Sequence, residues 1–128
     1  MSAMSDYLEL EVLDHVLGTG AYTMPSNVYI GLSTGSFSDD NSGTELSGSG
    51  YARQAITFAA ASSGSAATNA TVTFPTATGS WGAVSHWGLF DASSSGNLLI
   101  HGSFASSKTI ASGDVLRVNS GDLTVTAA

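Results

Sequence analysis

From about residue 27 onward the chain is written in short alternating segments, each closed by a cluster of Gly, Ser, Asn or Asp. Alternation with a period of two puts every second side chain on one face of an extended strand, and turn clusters this frequent leave no room for helices. Residues 27–33 place Val28, Ile30 and Leu32 on one face. Residues 51–58 alternate in the same way, as do 70–74, where Pro75 ends the segment because it has no N–H to give to a ladder. Residues 84–90, 98–104, 115–118 and 123–126 complete the set. Residues 91–97 between two of these read as a hairpin loop, and 112–114 and 119–122 as tight turns, since Gly supplies positive φ and Asp or Asn caps its own backbone. About seven or eight strands at a spacing of about ten residues predict an all-β fold, an antiparallel sandwich of jelly-roll or immunoglobulin-like type.

Ahead of the strands lies a different period. Leu8, Val12 and Val16 recur at helical spacing, and so do Leu10, Leu13 and Leu17. Ser5 or Asp6 suits the N-cap, with Asp6 and Glu9 resembling a capping box. Gly18 suits a left-handed C-cap, and His15 sits in the last turn. The pattern predicts a helix over 6–17. Its apolar positions form two stripes, one to cover the sandwich and the other free to meet a neighbouring subunit. No composition break divides the chain, so a single domain over 1–128 is expected, with a helical segment at 1–20 and the sandwich over 21–128.

Two stretches read as loops. Residues 35–50 are polar and too poor in apolar side chains to pack a core, and 59–67 are almost all small.

Ser, Thr and Gly fill 50 of 128 positions, and only 10% of residues are charged. Few side chains are left for acid–base or nucleophilic chemistry. Three Lys and Arg against ten Asp and Glu give a net charge of −7, which argues against nucleic acid as a partner, because phosphate needs clustered cations. No apolar run is long enough to span a membrane, and the first residues lack the basic-then-apolar order of a signal peptide. With no cysteine, thiol and disulfide chemistry are excluded. At 42% hydrophobic and a mean hydropathy of +0.17, the chain is too apolar for a disordered polymer.

The polar constellations are weak. His86 and His101 fall on consecutive strands, but two imidazoles need a third ligand such as Asp91 before they hold a metal. Residues 39–45 concentrate oxygen ligands without the alternating spacing of a calcium loop. A serine triad can be drawn in any chain this rich in serine, yet no nucleophile elbow presents one. The expectation is a protein that is not an enzyme, with no metal and no cofactor. Trp81, Trp87, Phe90 and Phe104 form the densest aromatic region, with Trp87 and Leu89 on one strand face and His86, Gly88 and Phe90 on the other.

Several ordered segments resemble a family of small tailed-bacteriophage proteins commonly labelled tail-fibre or virion structural proteins. They include Ser5–Glu9 (SDYLE), Leu13–Gly18 (LDHVLG), Val28–Leu32 (VYIGL) and Gly43–Phe58 (GTELSGSGYARQAITF). Others are Val72–Gly82 (VTFPTATGSWG), Val84–Ala92 (VSHWGLFDA), Gly96–Gly102 (GNLLIHG) and Ser120–Thr126 (SGDLTVT). The resemblance covers nearly the whole chain and implies a non-enzymatic virion component, on the particle exterior. Within that class, one small acidic domain without shaft-like repeats suits capsid decoration: a homo-oligomer, with a trimer favoured, that bridges copies of the major capsid protein and stabilises the assembled head. The contacts then expected are Tyr7, Leu10 and Val12 on the helix, Asp39, Asp40 and Glu45 in the long loop, and Arg53. The alternative is a tail-fibre or receptor-binding module for host surface glycans, with Trp81, Trp87, Asp91 and Asn97 as contacts. A tail or head–tail junction ring is the third reading.

Overall fold

A computed structural model describes residues 2–127, so the expected domain limits at Met1 and Ala128 lie outside the described residues. In chain order the elements are β1 (Ser2–Met4), α1 (Asp6–Leu17), β2 (Val28–Ser33), β3 (Gln54–Ile56) and β4 (Ser65–Ala67). They continue with β5 (Val72–Thr73), β6 (Gly82–Phe90), β7 (Leu98–Ile110), β8 (Arg117–Val118) and β9 (Thr124–Thr126). The all-β fold with one short N-terminal helix is what the sequence predicts.

All strand pairs are antiparallel, and five strands form one sheet in the order β1-β7-β6-β2-β3. The register puts Met4, Ile100, Leu89 and Ile30 opposite one another in a row across four strands. Ile30, Leu32, Trp87 and Leu89 are buried on this face, and Ile100 packs against it. Two small ribbons, β4-β9 and β5-β8, form the remaining sheets. Val72, Phe74, Leu116, Val118 and Leu123, in or beside those ribbons, join the same apolar cluster. Burying this set away from water is the main stabilising contribution. The other face of the sheet carries a smaller cluster of Phe37, Phe90 and Leu98. Trp87 and Leu89 therefore part from Phe90 as their alternation predicts.

Several boundaries differ from the sequence expectation. Strand β7 runs on to Ile110, and its pairing with β6 shifts between Val84 and His86, where Val84 faces Lys108 but His86 faces Ser103. The extra residues on β7 interrupt the regular ladder at that point. The expected strand at 51–58 keeps ladder pairing only over β3. Two strands arise where none was expected: β1, held on β7, and β4, inside the supposed 59–67 loop, where Ala66 faces Val125. The 35–50 loop also reaches the core, since Phe37 is 3% exposed and Leu46 packs on the main cluster.

Helix α1 has the expected bounds. Its N-cap is Ser5, extended at φ −71° and ψ 161°, whose hydroxyl accepts from the Leu8 amide. That placement moves Glu9 one position past the capping-box slot. Gly18 ends the helix at φ 79°. At 12 residues α1 is short, and among the described residues no helix is long and apolar enough to cross a membrane.

Candidate functional site

The start of α1 is stitched to two other parts of the chain. The Ser5 amide donates to the Leu99 carbonyl at 2.8 Å, and its hydroxyl donates to the Leu98 carbonyl at 2.5 Å. The Asp6 amide donates to the Asp39 carbonyl at 2.9 Å, which brings the long loop against the helix. That loop folds as a tight turn. The Asn41 amide donates to the Ser38 carbonyl, Asn41 itself is left-handed at φ 63°, and the Ser42 amide donates to Asp40 Oδ1 at 3.0 Å. From β7, His101 Nε2 donates to Asp39 Oδ1 at 2.6 Å. At the hairpin, the Asn97 amide and Nδ2 both donate to the Asp91 carboxylate, at 2.8 and 2.9 Å.

Between these parts lies a cleft of about 400 Å³, lined chiefly by Asp6, Tyr7, Asp39, Asp40, Asn41 and Asn97. Hydrogen bonds from Ser42 hold the Asp40 carboxyl below its usual range. The Tyr7 hydroxyl is pushed up, first by burial and then by the charges of Glu11 and Asp91. Tyr22 is raised by burial and by the same neighbourhood, with Tyr7, Asp91 and Glu11 contributing in that order. Carboxylate acceptors, amide donors and a phenol together suit a neutral ligand rich in hydroxyls. With no Lys or Arg on the lining, the site disfavours anions. Among the described residues, no group of three or more His, Cys, Asp or Glu is placed to hold a metal ion.

The structure thus brings together Tyr7, Asp39, Asp40 and Asn97, which the sequence assigns to two different roles, with Asp91 bonded to Asn97. The other candidates lie elsewhere. Glu45 and Arg53 bind each other, with Nη2 to Oε1 at 2.7 Å and Nε to Oε2 at 2.9 Å. Arg53 Nη1 also donates to the carbonyls of Ala92 and Ser95, and its guanidinium sits over the Phe90 ring. Trp81 and Trp87 are core residues at 5% and 4% exposure, which leaves no ring face for a sugar. Trp81 Nε1 donates to the Ser49 carbonyl, and its ring stands edge-on to Tyr51 and Phe74. Leu10 faces solvent and Val12 is half-buried.

Sequence reasoning missed Asp6 and Asn41 as lining residues. Asn41 had a signal, the turn-forming Asp-Asp-Asn run, but Asp6 enters through its backbone bond to Asp39, which leaves no local pattern. It also missed an apolar groove of about 660 Å³ lined by Val28, Ile56, Phe58, Ile100 and Val125, with Tyr22 and Met24 beside them.

The model of the family described as Podophage GP4 fiber I protein gp80 matches residues 3–126. The chain belongs to this family. The match runs from β1 to β9, so the helix, the cleft and both ribbons of this fibre I family member fall inside it. Among curated proteins, none matches the chain. Membership makes the chain a fibre-type structural protein of the phage particle, in agreement with the resemblance carried by its ordered segments.

Proposed function

We propose that the chain is a non-catalytic module of the podophage fibre, placed on the tail side of the particle, and that its cleft at the start of α1 meets saccharide on the host surface. The observation that carries the reading is the fibre-family match over residues 3–126. It favours the fibre over capsid decoration, because the features behind the capsid reading, small size and acidity, suit a fibre module equally. The cleft supplies the chemistry for a glycan: hydroxyl-matching carboxylates and amides, a phenol at the side, and no cation on the lining. Asn97 keeps its place in the glycan reading, Asp91 holds it there from outside the lining, and Tyr7 takes the aromatic role that the two buried tryptophans leave open.

Particles assembled without this chain test the placement. A fibre module predicts heads that fill with DNA and hold it, on virions that adsorb poorly to host cells. Heads that leak or burst, on virions that still adsorb, would support capsid decoration instead. For the cleft, the purified chain is expected to bind host surface polysaccharide, and Tyr7→Ala with Asn97→Ala to abolish that binding without changing the circular dichroism spectrum.

A further inference from the structure

Helix α1 shows solvent an apolar stripe that its own chain leaves uncovered. Leu10, Leu13 and Leu17 recur at helical spacing and are 64%, 55% and 70% exposed, and Val16 next to them is 72% exposed. Leu8, on the opposite side of the helix, is the buried one. Asp6, Glu9 and Asp14 are exposed and fall on the same side of the helix as the stripe. Two such stripes set face to face would bring acid against acid, which is repulsive. A cover for the stripe therefore needs an apolar floor and a cationic rim.

The chain has three Lys and Arg, and Arg53 is consumed by Glu45 and two carbonyls. The other two, Lys108 and Arg117, stand on one groove of about 230 Å³ between β7 and β8, where half-buried Phe104 offers the apolar surface and Val84, Leu116 and Val118 are buried beneath it. Among the described residues neither is paired with a carboxylate, and Arg117 Nε reaches only the Thr73 hydroxyl at 3.4 Å. Asp122 is the one acid on that lining, so the rim keeps a net positive charge. The larger apolar groove beside Met24 has no cation on its lining. Charge therefore selects the smaller groove.

We infer that a second copy of this chain seats its acidic, leucine-striped α1 in the Lys108–Arg117 groove. The two surfaces lie apart on β7. Ser5 ties the helix start to Leu98 and Leu99, at one end of the strand, whereas Lys108 lies near the other end. A contact between two different patches is heterologous, so it closes into a ring or runs on as a filament. The inference stands apart from the fibre placement, because it is read in solution and not on the virion.

The test uses sedimentation of the full chain and two exposed-site variants, with circular dichroism as the check on folding. Wild type is expected to assemble, and raised salt to weaken that assembly. Lys108→Glu with Arg117→Glu, and separately Leu13→Asp with Leu17→Asp, are each expected to sediment as monomers. Mixed together, they are expected to form a dimer and nothing larger, since one supplies the intact helix and the other the intact groove. A monomeric wild type overturns the inference. So does a groove variant that assembles like wild type, or a mixture of the two variants that stays monomeric.

Discussion

Arg53 and Glu45 meet side by side, two nitrogens against two oxygens at 2.7 and 2.9 Å, with side chains only 8% and 22% exposed. Tyr51 joins them by donating its hydroxyl to Glu45 Oε2, while it accepts the Leu32 amide. The cluster ties the 35–50 loop and the 91–97 hairpin to the sheet. Among the described residues, every buried side-chain nitrogen or oxygen has a hydrogen-bond partner, so this network is complete rather than strained.

Arg53→Met is expected to destabilise the chain by about 3–5 kcal/mol, because Glu45 is left without its partner and two loop carbonyls lose their donor. Glu45→Gln with Arg53→Met should cost less than the sum of the two single changes. Urea unfolding of the four proteins measures the coupling. Additive losses would show that the pair does not act as a unit.

Tyr51 makes stability fall in alkali. Burial raises its hydroxyl well above 10.0, and the Glu45 hydrogen bond and charge raise it further, against smaller opposing effects of the Leu32 amide and Arg53. The native state therefore keeps a proton that the unfolded chain has lost, and stability declines as pH rises beyond about 10. Below that pH the contribution is fully present. The urea midpoint, followed from pH 8 to 11 (values on the order of the tyrosine range), should drop more steeply in wild type than in Tyr51→Phe.

Gly31 lies under the same network. A Cβ there would stand 2.7 Å from Glu45 Oε2 and 3.0 Å from the Phe90 ring. Gly31→Ala is expected to cost about 1–3 kcal/mol through displacement of these neighbours. An unchanged thermal midpoint would mean that the Glu45 side chain has room to move.

Ser5 is both the helix cap and the link to β7. Ser5→Ala is expected to lose about 1–2 kcal/mol. Amide exchange should speed up in the first turn of α1 and around Asp39, and stay slow in β6. Equal acceleration in β6 would show that Ser5 supports the whole fold and not the cleft.

What could be read from the chain in advance follows from the range of the forces involved. Helix α1 was legible to the residue because its period, Ser5 and Gly18 are all local. The same holds for the inward turn of Trp87 and Leu89. Strands β1 and β4 were not legible: three residues of mostly small side chains carry no period, and their partners are distant. Residues 35–50 looked too polar to pack, yet Phe37 alone was enough to join Phe90 and Leu98. In the cleft, Tyr7, Asp39, Asp40 and Asn97 each stood out by type. Nothing local could show that the Asp6–Asp39 backbone bond gathers them, or that Glu45 would be spent on Arg53.

Gold-labelled antibody against the chain, viewed on intact virions under the electron microscope, decides whether it is a fibre module of the particle. A fibre module carries label on the fibres at the tail, with the head bare. Label spread evenly over the head would contradict it and restore capsid decoration as the function.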